Sequence, residues 1–150
     1  MSDIQERDRL ESAREQGQAQ FDNVREMVEA LRDARDPADP AIILATAIEE
    51  AEQAIHEDAL SIEVRSGWYS PGAPHADTEP AEYRILLCTG GPAVQVVGDL
   101  GEFGEPETAR LQVQDWFQPW TDFCPTMNAA GDVTPEEVLL DYARCFYFGE

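Results

Sequence analysis

Lysine is absent from this 150-residue chain, and histidine occurs only twice. All ten basic residues are arginine, and they face thirty-one Asp and Glu, for a formal charge of −21. A surface so short of positive charge excludes direct binding to a nucleic-acid backbone; it attracts cations and basic protein patches and repels other polyanions. Cysteine is scarce as well. Cys88, Cys124 and Cys145 are odd in number and widely separated, with no C-x-x-C pair and no histidine at zinc spacing, so they read as reduced core thiols. No apolar run approaches the roughly 20 residues of a spanning helix. The opening MSDIQERDRLE is too polar for a secretory signal. The expectation is a cytoplasmic protein with no membrane partner.

Catalytic signatures are missing too. There is no G-x-S-x-G and no H-E-x-x-H, and neither His56 nor His75 has a nucleophile partner in sequence, so His56 reads as a solvated side chain. With so many acids, the existence of a carboxylate pair says nothing about a catalytic dyad. Asp99, Glu102, Glu105 and Glu107 lack the order of an EF-hand and read as a solvated loop. Thr89-Gly90-Gly91-Pro92 has no following Lys or helix, so it reads as a hairpin turn and not a phosphate cradle. No enzyme activity, metal or cofactor is expected.

What the chain does have is enough apolar mass for a core. Hydrophobic residues make up 43% of it, including Trp68, Trp116 and Trp120, which is unlike a disordered acidic segment. A length of 150 residues suits one domain, 1–150. The charge is spread, with net −10 over residues 1–60 and −11 over 61–150, so moderate salt should stabilise the fold by screening self-repulsion.

Periodicity divides the chain into helices, then strands, then a helix. In residues 1–35, Leu10, Ala13, Gly17, Phe21, Val24, Val28 and Leu31 share one stripe of a long amphipathic helix, which Gly17 weakens and whose first turns are expected to fray. Asp36-Pro37-Ala38-Asp39-Pro40 ends it and starts a second helix at 40–59, with Asp39 as N-cap and an apolar face of Leu44, Ala47, Ile48, Ala51, Ala54 and Ile55. The two form an antiparallel helical hairpin. From Leu60 the period drops to two, and strands are expected within 60–115, at 60–65, 83–88, 93–97 and 109–115. Residues 98–107 and 116–131 read as connections. Thr134-Pro135-Glu136-Glu137 is a capping box that opens a helix over 134–146. The fold class is α+β: a helical hairpin, a three- or four-stranded antiparallel sheet, and a C-terminal helix, with the helices on one face.

Opposite the apolar stripe of the first helix lies a rail of carboxylates: Asp8, Glu11, Glu15, Asp22, Glu26, Glu29 and Asp33. On the second helix Glu49, Glu50 and Glu57 also point away from the core face. The rail places about one charge per 5.4 Å turn, against about 3.4 Å per phosphate along a DNA strand. A groove shaped for phosphates is therefore a fitting partner. The plainer alternatives are an ordinary solvated helix face and adaptation to high salt, which would make the surface acidic all round. Trp116, Phe117, Trp120, Phe123, Phe146, Tyr147 and Phe148 read mainly as packing, which leaves Trp68, Tyr69 and Trp120 on loops as candidate anchors for a partner.

Four blocks, EDALSIEVRSGW (57–68), ILLCTGGPAV (85–94), QDWFQPWT (114–121) and FYFGE (146–150), resemble a family of small acidic proteins encoded by phages and prophages. The resemblance spans roughly residues 25–150. It assigns no functional residue; it implies a genomic setting in which such proteins inhibit host defence complexes of the CRISPR or restriction kind. The resulting expectation is a non-enzymatic inhibitor whose acidic face, through Glu15, Asp22, Glu26, Glu29, Asp33, Glu49, Glu50 and Glu57, binds the basic nucleic-acid-binding surface of a host protein. The alternative is a phage structural or regulatory protein that binds through Trp68, Tyr69 and Trp120, with charge serving solubility. A third class is a small hydrolase or metal-dependent enzyme using the carboxylates of 98–107.

Overall fold

The computed structural model describes residues 2–35, 45–72, 80–89, 92–115, 119–127 and 133–148, with side chains from residue 11 onward and, in the second helix, from residue 47. Helix α1 runs over Ser2–Arg35 and α2 over Ala45–Asp58. Strands β1 (Ser61–Ser66), β2 (Pro80–Cys88), β3 (Ala93–Asp99), β4 (Arg110–Gln114) and β5 (Thr121–Phe123) follow, and α3 (Pro135–Ala143) closes the chain. The α+β order is the expected one. α1 is continuous from Ser2. The caps assigned to Asp39 and Pro40, Leu10, Leu44, His75, Trp116 and Phe117, and the Gly90-Gly91 turn lie outside the described side chains.

The strands form a five-stranded antiparallel meander in the order β1-β2-β3-β4-β5. The fifth strand arises inside what reads as an aromatic connection: only three residues long, it pairs Leu111 with Phe123 and Val113 with Thr121, too short to show a period of two. α1 and α3 pack on one face of the sheet, and α2 packs on α1. The hairpin of α1 and α2 is antiparallel, since Asn23 donates to Asp58 at 3.0 Å while Arg35 pairs with Glu52 at 3.1 Å.

The core lies between helices and sheet. Ala13, Phe21, Val24, Val28 and Leu31 of α1 are buried, as the stripe requires, against Ile85, Val94, Val96, Leu111 and Val113. Gly17 also belongs to this seam. A Cβ there would sit 2.6 Å from Val113 Cγ1 and 3.0 Å from Phe123 Cδ1, so glycine is what lets α1 approach β4 and β5 this closely. A bulge between Leu86 and Cys88 brings Cys88 opposite Val94 on the core face. There Gln16 of α1 approaches its sulfur, and burial pushes its thiol pKa up. Burial also raises the Cys145 thiol. Cys124 is exposed, unlike the core thiol expected of it.

α3 starts as its capping box predicts, with Thr134 Oγ1 accepting from the Glu137 amide at 3.2 Å and Pro135 in the first turn. It ends at Ala143, short of the expected 146, with Arg144 as its cap. Phe146 and Phe148 then turn back onto Tyr142 and Tyr83, with ring centroids 5.3 and 4.9 Å apart. His56 is not a free solvated ring: its Nε2–H donates to the Cys145 carbonyl at 2.6 Å, and the ring packs on Phe146.

Candidate functional site

Two surfaces remain once the core is accounted for: the outer side of the helices and the open face of the sheet. The helical side carries the carboxylate rail. Glu11, Glu15, Glu26, Glu29 and Asp33 are exposed and Asp22 is half-buried, because the spacing that buries Phe21, Val24 and Val28 turns these positions outward. Gln18 donates to Asp22 at 3.0 Å, and Arg25 lies 3.8 Å from Glu29. Among the described residues Glu15, Glu26 and Asp33 have no arginine partner. Two further arginines of α1 pair away from the rail: Arg32 with Asp141 of α3, and Arg35 with Glu52. On α2, Glu49, Glu50 and Glu57 are exposed, and Gln53 donates to Glu57 at 2.9 Å. This helix carries Glu49, Glu50, Glu52, Glu57 and Asp58 and no arginine.

The open face of the sheet is different in kind. Arg65, Arg84 and Arg110 stand on it among Glu63, Glu82, Asp99 and Asp122, and each arginine is paired: Arg84 with Glu63 at 2.7 Å, Arg110 with Asp122 at 3.3 Å, and Arg65 with Glu82. The Arg65 guanidinium holds the Glu82 carboxyl below its usual range. Gln95, only 3% exposed, donates to Gln112 at 2.7 Å, and Gln112 donates to Asp122 at 2.9 Å. A shallow depression of about 420 Å³ lies over this face, with Val97 and Gln95 among its lining and Trp120 at its side. β3 reads in sequence as an apolar strand, so this polar ladder across three strands is not legible there; Gln95 facing Gln112 needs the register.

The aromatic candidates are not brought together into one site. Trp68 is fully exposed and Tyr69 half-exposed beyond the end of β1, whereas Trp120 is partly buried beside the sheet depression. Among the described residues, no three His, Cys, Asp or Glu side chains gather closely enough to hold a metal ion, and Asp99 of the acidic loop is instead tied to Thr108. No described helix is long and apolar enough to cross a membrane.

Comparisons of the chain with family models, with curated proteins and with solved structures find no match. The functional reading therefore rests on geometry and charge.

Proposed function

We propose that this chain is a non-enzymatic inhibitor carried by a phage or other mobile element. It acts in the host cytoplasm and occupies a basic nucleic-acid-binding surface of a defence protein of the anti-CRISPR or antirestriction kind. The observation that carries this reading is the row of exposed carboxylates along the helical hairpin. The arginines of the sheet face are matched one to one with acids, while the outer side of α1 and α2 presents Glu15, Glu26, Asp33, Glu49 and Glu50 without an arginine partner among the described residues. Like charges at three- and four-residue spacing weaken a helix by a few tenths of a kcal/mol each, a cost that a cationic partner would reverse.

The test is capture from host lysate on immobilised protein at low and high salt, with Glu26→Lys/Glu29→Lys/Asp33→Lys beside the wild type. Binding should fall steeply with salt and vanish in the triple variant. Full capture by that variant would end the proposal. Exposure of Trp68 and Tyr69 favours a second reading, a phage structural or regulatory protein that binds through aromatics. Its capture would be indifferent to salt and lost on Trp68→Ala or Trp120→Ala.

A further inference from the structure

The edge strand β1 is left incomplete on its apolar face and along its outer edge. Its register on β2 puts Ile62 opposite Ile85 and Val64 opposite Tyr83, hence on the core side of the sheet. Yet Ile62 is 41% and Val64 44% exposed, because the helix layer rests on β3 and β4 and does not reach the edge. Leu60 just before the strand is 57% exposed, and Trp68 just after it is fully so. The outer edge of β1 has no partner strand among the described residues. A strand with a free edge and an uncovered apolar side is a template for pairing.

The charged face says what kind of strand fits. From this geometry we infer that β1 pairs antiparallel with β1 of a second copy of this chain, about a two-fold axis through Val64. Directly opposed residues of antiparallel strands share a face, so only registers centred on a residue keep the apolar side apolar. Centring on Glu63 sets Glu63 against its own copy, a like-charge clash. Centring on Ile62 leaves Glu63 against Ser61. Centring on Val64 sets Glu63 of each chain against Arg65 of the other.

Because Glu63 is already bonded to Arg84 and Arg65 to Glu82, the joined sheet acquires rows of alternating sign. One row runs Arg84, Glu63, then the second copy's Arg65 and Glu82; the two-fold axis generates the other. On the opposite side Val64 meets Val64, Ile62 meets Ser66, and continuing the register two residues further brings Leu60 to Trp68. One register thus matches the charges and covers the exposed apolar side chains. The contact is isologous, as a closed dimer requires, and it leaves the outer faces of α1 and α2 free. It does not rest on the inhibitor reading.

Two chains of −21 repel each other, so the dimer must tighten as salt rises, the reverse of the dependence expected for a cationic partner. Sedimentation of the wild-type chain should show monomer at low salt and dimer at about 1 M, where the screening length is about 3 Å. The decisive measurement uses Glu63→Arg and Arg65→Glu separately and mixed. Each alone sets like charges against each other at the axis and should remain monomeric. Mixed in equal amounts, every Arg meets a Glu, and a heterodimer should form with at least tenfold tighter association than either variant alone. Dimerisation on mixing also shows that both variants are folded. A wild-type monomer at every salt concentration, or single variants that dimerise as well as the mixture does, would overturn the inference.

Discussion

Replacing Gly17 by alanine sets two known effects against each other at one atom. In an unconstrained helix the change stabilises by about 1 kcal/mol, because glycine loses more backbone entropy on folding. At this position the new methyl carbon would lie 2.6 Å from Val113 Cγ1 and 3.0 Å from Phe123 Cδ1, against an optimum of about 3.5–4.0 Å for carbon pairs. Val113 is 2% exposed, so it has little room to yield, and its β-branched side chain has few rotamers to choose from. Overpacking of this kind costs about 1–3 kcal/mol. Steric cost should therefore outweigh propensity, for a net loss of about 1 kcal/mol and a fall in Tm of about 2–4 °C for a domain of this size. Urea unfolding is the assay, with a lowered midpoint and an unchanged slope expected. The double variant Gly17→Ala/Val113→Ala should be more stable than the sum of its two single losses predicts, because the methyl group added on α1 then fills part of the space that Val113 vacates. A raised midpoint in Gly17→Ala alone would refute the close approach of α1 to β4.

Asp58 accepts from Asn23 of α1 and from the buried Tyr142 hydroxyl of α3, both at 3.0 Å. Asp58→Ala should cost about 1–3 kcal/mol by stranding that hydroxyl, and Asp58→Asn, which keeps a carbonyl acceptor, should cost less in the same urea assay. Tyr83 and Tyr142 have pKa values raised above the usual 10.0, mainly by burial and further by Asp99 and Asp58 respectively. Their neutral forms favour the fold, so stability is full below pH 10 and is lost above it, by up to about 1.4 kcal/mol per pH unit for each phenol. Chemical unfolding followed from neutral to strongly alkaline pH checks this, and a flat profile would contradict it. Moderate salt should raise the melting temperature, since the −21 charge self-repels; thermal melts that show no rise would contradict a charge-dense surface.

The helices were legible in the sequence because their information is local. The spacing of Phe21, Val24, Val28 and Leu31, and Thr134-Pro135-Glu136-Glu137 at the start of α3, each specify structure within a few residues, and the structure places them accordingly. The carboxylate rail was legible for the same reason: a 3.6-residue period that buries one set of side chains exposes the opposite set. The charge excess, the lack of lysine and the α+β order all follow from the chain read in one dimension.

Tertiary structure alone decided what depends on register and reach. Gly17 reads as a weak point in a helix and becomes a contact point only because β4 and β5 cross beneath it. The Gln95, Gln112 and Asp122 ladder requires three strands to be aligned. Ile62 and Val64 have the alternation of a half-buried strand, but they stay exposed because β1 lies at the edge of the meander, beyond the helices. Strand order and helix placement are set by packing between residues far apart in the chain, and no local pattern encodes those distances.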